Sequence, residues 1–381
     1  MQLLKRVELK GYKSIKDQNL DLAPLNVFIG ANGSGKSNLV SFFKMLNHMM
    51  TRNLQTFIGE SGGANSLLYY GAKITPQMEA TLHFELQNAD NAYHLRLGHA
   101  ATDTLIFQEE RISYHLRNDK RPPFVRVLDA GHRETRLVRQ PGEVEQIMPG
   151  ASEAVRKSVG VFRHILSQCR VFQFHDTSTT ARIRLNGEID QNRYLMSDGG
   201  NLAAMLYKLR NTQRECYDRI VQTVRLVAPF FCDFQLEPQE LNPRMIQLRW
   251  KERDHEYDFG PHQISDGTLR AMALITLLLQ PPPNLPSVII IDEPELGLHP
   301  YAITVLAGLL RGASHHAQII VATESATLLD HFEPQDIVVT ERCMGESAFR
   351  RLNPEELKDW REEYSVSELW EKNVIGGRPS R

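Results

Sequence analysis

A glycine-rich loop that ends in lysine and serine carries the clearest chemical pattern in the chain. Residues 30–37 read GANGSGKS and match the P-loop pattern G-x-x-x-x-G-K-[ST]. Its glycines let backbone N–H groups turn toward phosphates at the positive end of the following helix. Lys36 would reach the β- and γ-phosphates, and Ser37 would offer its hydroxyl to Mg²⁺. We therefore predict an ATP and Mg²⁺ site formed by Gly30, Asn32, Gly33, Ser34, Gly35, Lys36, Ser37 and Asn38.

An acidic pair follows a run of four apolar β-formers later in the chain. Residues 288–291 are Val-Ile-Ile-Ile and lead directly into Asp292 and Glu293, which is the Walker B pattern. At the carboxyl end of a buried strand, Asp292 would hold Mg²⁺ through water. Glu293 would then orient or deprotonate the attacking water. Acidic pairs also follow strands by chance, but the P-loop and the following Pro294 favour the functional interpretation.

Residues 264–268, Ile-Ser-Asp-Gly-Thr, precede the acidic pair and open a helical pattern. They look like a variant of the ABC signature LSGGQ. The Ser265 hydroxyl, Gly267 and the helix N-terminus could complete the shell of a γ-phosphate. An ordinary serine N-cap is the alternative. The position just before the Walker B strand favours the signature.

The surrounding segments predict elements that would hold these motifs. Apolar periodicity predicts strands, helices and one long connection. The strands are 3–9, 25–29, 78–86, 287–291, 318–322 and 336–340; the helices are 36–50, 201–227, 268–279 and 301–311; the connection is 176–200. Strands that alternate with helices of this length indicate a parallel sheet, whereas 78–86 alternates like a strand with one wet face.

These elements predict an α/β protein with an ABC-type P-loop NTPase core. Its mainly parallel sheet would be split by an inserted α+β lobe. We expect the core in residues 1–51 and 261–381, a β-rich insertion in 52–170, and a linker with a helical lobe in 171–260.

The composition is that of a globular protein from a reducing compartment. The chain has 381 residues, 41% of them hydrophobic, and a net charge of -2, so its overall charge demands no nucleic-acid or membrane partner. Its four cysteines form no CxxC pair, which argues against zinc or disulfide frameworks. The longest apolar runs fall well short of the roughly 20 residues of a membrane span. We expect a cytoplasmic protein without a membrane partner.

The order of the motifs resembles the RecF/OLD/SMC-like branch of ABC ATPases. It looks closest to the stand-alone bacterial ATPases called RecF-like. The opening Leu-Lys-Gly-Tyr-Lys-Ser of residues 9–14 resembles that branch's first strand, which implies that Lys13 lies near the nucleotide. The segment 369–377 resembles the branch as well. The resemblance implies a head-to-tail homodimer that sandwiches two ATP molecules, with residues 295–299 as the D-loop.

Three features depart from that branch. No long heptad pattern lies between Ser37 and Ser265, so the coiled-coil arms of SMC proteins are absent. The stretch after Glu324 leaves no room for the nuclease domain of OLD proteins. Glu324 also stands where many ABC proteins have a histidine that touches the γ-phosphate, and an ionised glutamate would repel phosphate. We keep Glu324 as a catalytic candidate that acts through water or a partner, or as a cap of the helix from Ala326.

Two further segments have open interpretations. Gln173 or His175 could be the Q-loop residue that senses the γ-phosphate, or either could be an ordinary core or loop residue. Residues 111–140 hold eight Lys and Arg against three acids, so they could bind DNA phosphates or form a solvated hairpin face. The basic residues are Arg111, Arg117, Lys120, Arg121, Arg126, Arg133, Arg136 and Arg139.

The motifs together predict an ATPase that acts as a MgATP-driven dimeric switch. The resemblance places it in DNA repair or in defence against foreign DNA, alongside a separately encoded nuclease or toxin effector. The alternative is a scaffold that binds ATP to hold a partner with very slow or no hydrolysis, which Glu324 suggests. An ABC transporter subunit fits less well, because the stretch between Lys36 and Ser265 exceeds a transporter's helical insertion and nothing spans a membrane.

Overall fold

The computed structural model describes residues 3–86, 89–117, 122–138 and 153–378. The first three ranges are dominated by strands. Their elements are β1 (Leu3–Tyr12), β2 (Ile15–Asp21), β3 (Leu25–Ile29), α1 (Lys36–Met50), α2 (Leu54–Glu60), β4 (Gln77–Leu86), β5 (Ala89–Ala100), β6 (Thr104–Leu116) and β7 (Phe124–Val127).

The fourth range mixes helices with strands. It begins with α3 (Glu153–Ser167), β8 (Cys169–Phe172), β9 (Gly187–Glu188), α4 (Leu202–Thr212), α5 (Arg214–Val227), β10 (Phe231–Gln235), β11 (Met245–Ile246), β12 (Arg249–Glu252) and β13 (Asp258–Phe259). It ends with α6 (Asp266–Leu278), β14 (Val288–Asp292), α7 (Pro300–Ser314), β15 (Gln318–Thr323), α8 (Ala326–Leu329), β16 (Ile337–Cys343), β17 (Glu346–Arg351), α9 (Lys358–Arg361) and α10 (Val366–Glu371).

A six-stranded sheet forms the centre of the molecule. Its strand order is β17-β16-β3-β15-β14-β8, and every neighbouring pair is parallel except β16 with β17. Strands β3, β14 and β15 are buried along their whole length, which is why each reads as a continuous apolar run. The predicted α/β core with a mainly parallel sheet is confirmed.

The two faces of this sheet belong to two apolar cores. Side chains alternate along β3, so that Val27 and Ile29 pack in one core and Phe28 in the other. The first core joins the sheet to α4–α7. The second joins it to α1 and to a second sheet, which is antiparallel and runs β2-β1-β4-β5-β6-β7.

The second sheet combines segments that the sequence analysis assigned to different parts. The strands β4 to β7 lie in the predicted insertion, yet β4 pairs with β1 from residue Leu3 to Lys10. Likewise, β8 begins within the predicted insertion and pairs with the Walker B strand β14 in the central sheet. The division of the chain into domains stays a prediction.

Most of the predicted elements are present, and one helix is divided. Helix α1 has the predicted bounds, and α6 begins at Asp266, two residues before the predicted start, because Ser265 caps it. The predicted helix 201–227 is instead two helices that meet at Gln213, whose φ is -147°. That non-helical residue ends one helical hydrogen-bond ladder and begins the next. None of the described helices has both the length and the apolar character to cross a membrane.

Candidate functional site

The P-loop connects the buried strand β3 to α1 through two left-handed glycines. Gly33 has a φ of 78° and Gly35 a φ of 119°, a region that other residues rarely adopt. A Cβ on Gly35 would collide with the side chain of Ser347, and one on Gly30 would collide with the carbonyl oxygen of Thr340. Nothing lies within 4 Å of the place where a Cβ on Gly33 would point. The loop is therefore packed tightly on one side and open at Gly33.

The Lys36 ammonium lies inside this loop and has three oxygen partners. Its Nζ donates to the carbonyl oxygens of Gly30 at 2.6 Å and Ala31 at 3.1 Å, and it contacts Glu324 Oε1 at 3.0 Å. The Lys36 side chain is 5% exposed and that of Glu324 is 29% exposed. This charge thus has one acidic counterpart, Glu324, in the most buried part of the loop.

The alternative that Glu324 caps the helix from Ala326 is wrong. Ser325 is the N-cap of α8, and its hydroxyl accepts the N–H of Leu328 at 3.2 Å. Because Ser325 satisfies that helix end, the Glu324 carboxylate is available for Lys36.

The end of β14 brings Asp292 beside the first residues after β8. Asp292 is buried, and its Oδ2 accepts a hydrogen bond from Gln173 Nε2 at 3.1 Å. The His175 ring lies with its Nε2 2.9 Å from the Asp292 carbonyl oxygen. Both Q-loop candidates therefore contact the proposed metal-binding residue, and Gln173 contacts its carboxylate directly.

Glu293 has the backbone strain expected at a functional turn. Its φ is 44°, in the left-handed region, and its N–H donates to the carbonyl oxygen of Ala322 at 2.7 Å. The neighbouring Glu295 accepts a hydrogen bond from the Thr323 hydroxyl, while its other oxygen has no hydrogen-bond partner within the part of the chain that the structure describes. Burial, together with the nearby Glu293, raises the pKa of Glu295.

Lys13 occupies the two-residue turn between β1 and β2. Its φ is 48°, and its Nζ donates to the Ser41 hydroxyl on α1 at 2.8 Å. In the same turn, the Ser14 hydroxyl accepts from Asn38 Nδ2 at 2.6 Å. This turn therefore lies against the first turns of the helix that follows the P-loop. That Lys13 lies near the nucleotide stays a prediction.

Ser347 joins this turn to the P-loop. Its hydroxyl donates to the carbonyl oxygen of Ser34 at 2.6 Å and lies 2.7 Å from the Ser14 hydroxyl. A C-terminal glycine pair holds the other side of the loop. The Ala31 N–H donates to the Gly377 carbonyl oxygen at 2.9 Å, and the Gly377 N–H donates to Glu341 at 2.8 Å.

The signature segment contacts the segment after Walker B rather than the P-loop. Ser265 caps α6 by accepting the N–H of Thr268 at 3.1 Å. Gly267 approaches the Gly297 carbonyl oxygen so closely that a Cβ would collide with it. Among the described residues, no hydrogen bond or ion pair joins Ser265 or Gly267 to the P-loop.

Arg270, one turn into α6, was missed by the sequence analysis. Its guanidinium donates to the carbonyl oxygens of Phe174 at 3.0 Å, His175 at 2.8 Å and Leu296 at 3.0 Å. It thereby joins the signature helix to both the Q-loop segment and the segment after Walker B. The only sequence signal for Arg270 is the position of an arginine just after the signature. The sequence carries no signal for the contact of Ser347 with the P-loop.

Three of the five described basic residues in the stretch 111–140 are paired with acids. Arg111 contacts Glu109 at 3.4 Å. Arg117 contacts Asp90 at 3.0 Å and also Glu85, and Arg136 lies 3.8 Å from Asp129. Lys120, Arg121 and Arg139 lie outside the described residues. The described part fits a solvated sheet face better than a surface that follows phosphates.

The residues at the loop suit an ATP and Mg²⁺ pair. Gly33 leaves open space where a phosphate would lie, Lys36 offers a cation, and Ser37 is exposed at the start of α1. Asp292 adds a carboxylate at the end of β14, which is separated from β3 by β15. This donor set, a hydroxyl and a carboxylate beside a phosphate cradle, is of the oxygen type that Mg²⁺ prefers.

A protein-family model matches residues 25–330 of the chain, and its description is "AAA domain, putative AbiEii toxin, Type IV TA system". No curated protein sequence matches. Among solved structures, an Smc head bound to the C-winged helix domain of ScpA is similar over 93% of this chain and 99% of its own, with 15% identity and a TM-score of 0.59.

A second similar structure is the Smc head with an extended coiled coil from Pyrococcus furiosus, bound to the C-terminal domain of ScpA. It covers 95% of this chain and 99% of its own, with 16% identity and a TM-score of 0.54. At such identity the likeness concerns the fold. The fold is that of an SMC head, as the sequence resemblance implied.

The Lys36–Glu324 pair yields the first prediction. In Glu324→Gln the amide no longer holds Lys36 or repels the γ-phosphate, so we expect ATP affinity to rise about tenfold, equivalent to about 1.4 kcal/mol. Isothermal titration calorimetry with MgATP measures it. The control is Glu333→Gln, which breaks an exposed pair with Arg361 and should leave the affinity unchanged. Unchanged or weaker binding in Glu324→Gln would show that the carboxylate does not compete with ATP.

Proposed function

Because the AAA family model matches its residues 25–330, this chain belongs to that family, and we propose that it hydrolyses MgATP between two copies of itself. One observation carries the proposal. Gln173, Asp292, Glu293 and Glu324 lie at the carboxyl ends of the adjacent parallel strands β8, β14 and β15, and Glu324 contacts Lys36 of the P-loop. That edge is where open α/β sheets bind their ligands.

Binding of the phosphates depends on the open side of the loop. The N–H groups around Gly33 and at the start of α1 would receive the β-phosphate, and Lys36 would turn from Glu324 toward the phosphate oxygens. Ser37 and Asp292 would hold Mg²⁺, with Gln173 completing the arrangement through its contact with Asp292. The metal ion would neutralise charge on the phosphate oxygens.

Hydrolysis depends on Glu293 as the base. It follows Asp292 directly, and its left-handed backbone turns its side chain out of the strand's alternation. Glu295 is less suited, because one of its oxygens is hydrogen-bonded to Thr323 and burial disfavours its charged form. Glu293 would accept a proton from the attacking water.

A composite site explains the position of the signature. Gly267 lies against Gly297, Ser265 contacts Thr268 in its own helix, and no hydrogen bond among the described residues joins either of them to their own P-loop. In a C₂ dimer they would face the phosphates of the neighbour's ATP. ATP binding would then be coupled to dimerisation, which is the basis of a switch.

The biological setting is defence against foreign DNA or DNA repair, with a separately encoded effector. The family description names a toxin–antitoxin system, and the similar Smc heads are each bound to a domain of a second protein. Both support a head that passes its nucleotide state to a partner. A second candidate, an ATP-binding scaffold with very slow turnover, is favoured by the Lys36–Glu324 pair alone, because that pair must open before ATP can bind.

Substitution of the proposed base separates these two functions. In Glu293→Gln we expect ATP binding to persist while phosphate release slows by roughly 10²–10⁴, the contribution of a positioned base. Steady-state phosphate release and calorimetry measure the two quantities. Glu295→Gln is the matched comparison and should retain most of the activity. Wild-type protein without multiple turnover would favour the scaffold, and unchanged turnover in Glu293→Gln would assign the base to another residue.

Dimerisation provides an independent prediction. The Glu293→Gln protein should gain dimer on addition of MgATP, and adding Ser265→Arg should abolish that gain while each chain still binds ATP, because the arginine blocks the partner's phosphate site. Light scattering measures the mass.

The control for this substitution is Ser365→Arg in the same background. Ser365 is also an exposed serine N-cap, on α10, so the change removes an equivalent cap elsewhere. That protein should still form the ATP-dependent dimer. A mass that does not respond to ATP, or a Ser265→Arg chain that hydrolyses normally as a monomer, would contradict the composite site.

A further inference from the structure

A groove beside the nucleotide site runs along α1 toward the edge strand β8. It consists of two adjoining hollows of about 200 Å³ and 180 Å³, which share Asn47, Val171, Ser197 and Asp198. We call it the α1–β8 groove. Its ends are lined by Arg170, Arg182 and Tyr194 in the larger hollow and by Lys44, His48 and Gln173 in the smaller one.

The lining of the groove is cationic. Lys44 and Arg182 are exposed, and the only acid among the described lining residues is Asp198, which pairs with Arg182 at 3.2 Å. Burial lowers the pKa of His48, and Lys44 lowers it further. The same two causes, in the same order, lower the pKa of Lys13. Burial is the larger cause of both shifts, and the positive charge of Lys44 adds to each.

Arg170 and Tyr194 form a stacked platform at one end. The Arg170 guanidinium carbon lies 3.7 Å from the centroid of the Tyr194 ring, and the ring remains 45% exposed. The buried Nε of Arg170 has no hydrogen-bond partner among the described residues. An exposed aromatic ring backed by an arginine is the combination on which nucleobases stack.

The other end of the groove leads to the ATP site. Gln173 lines the smaller hollow, and its side-chain amide donates to the Asp292 carboxylate at 3.1 Å. A ligand in the groove therefore touches the residue that orients the proposed metal-binding carboxylate. The Gln173 side chain therefore both lines the groove and holds the Asp292 carboxylate.

We propose that the α1–β8 groove binds a single nucleic-acid strand, with a base on Tyr194 and backbone phosphates at Lys44, Arg170 and Arg182, and that the bound strand acts on ATP turnover through Gln173. The hollows are smaller than the 300–1,000 Å³ of a typical ligand pocket, so they suit the separate base and phosphate groups of one strand. Cations that follow a backbone and an aromatic platform are the elements of such sites. The coupling to turnover rests on the proposed ATPase function; the binding itself does not.

Binding is tested without ATP by fluorescence anisotropy with a labelled 12-nucleotide oligothymidylate over a series of salt concentrations. The Tyr194→Ala variant should bind about tenfold more weakly through loss of stacking. The Lys44→Ala and Arg182→Ala variants should weaken binding and each reduce the salt slope by about 0.7. Their side chains are exposed, so the variants should fold, and unchanged MgATP affinity by calorimetry verifies it. Arg126→Ala, on the exposed β7, is the control and should bind like the wild type.

Competitors identify the form of the ligand. Unlabelled oligothymidylate should displace the label, whereas thymidine monophosphate and duplex DNA at equal nucleotide concentration should not. Equal displacement by duplex or mononucleotide, or full affinity in the groove variants, would overturn the proposal. An inactive ATPase that still binds the strand would count against the proposed function only.

Phosphate release tests the coupling. The wild-type rate should change when oligothymidylate is added, and in Gln173→Ala the ratio of rates with a saturating concentration of the strand and without it should fall to about one. A wild-type ratio of one, or an undiminished ratio in Gln173→Ala, would overturn the route through Gln173.

Discussion

The site depends on the alignment of four parallel strands, β3, β15, β14 and β8, of which the first three are buried along their whole length. In register, Asp292 on β14 lies opposite Ala322 on β15, and Thr323 lies opposite Ile29 on β3. Each strand therefore ends at the same edge of the sheet, and whatever residue follows it is delivered there. The P-loop follows β3, Glu293 follows β14, Glu324 follows β15 and Gln173 follows β8. The two cores that bury the apolar runs fix this alignment. The apolar runs therefore determine which residues come together at the site.

A buried lysine at that edge needs a negative partner at all times. An ammonium that is 5% exposed is costly unless it is hydrogen-bonded and paired, and the loop carbonyls alone leave its charge uncompensated. Glu324 supplies the charge in the structure, and the phosphates of ATP would supply it in the complex. This explains how a carboxylate can stand where a γ-phosphate contact is expected. The negative charge by which Glu324 attracts Lys36 is the same charge that repels phosphate.

The sequence predicted the local features and missed the distant contacts. Strand β3, the glycine loop and helix α1 lie within one short segment of the sequence, so their type and bounds could be predicted. The choice between Gln173 and His175, and the partner of Glu324, depend on which strands are neighbours. Ser347 contacts the P-loop from more than three hundred residues away, and a serine in an ordinary hairpin carries no pattern. The division at Gln213 was missed because both helices continue one apolar periodicity.

Arg270 gives the proposed dimer a route between its two sites. Its guanidinium holds the carbonyl oxygen of His175, whose ring contacts Asp292, and the carbonyl oxygen of Leu296 in the segment that approaches Gly267. Asp292 and the signature of one chain are therefore joined by three hydrogen bonds and the close approach of Gly267 to Gly297. If the signature serves the neighbour's ATP, a shift at one chain's Asp292 is transmitted to the other chain's phosphates. Two composite sites linked in this way would respond to nucleotide together, since each chain contributes to both.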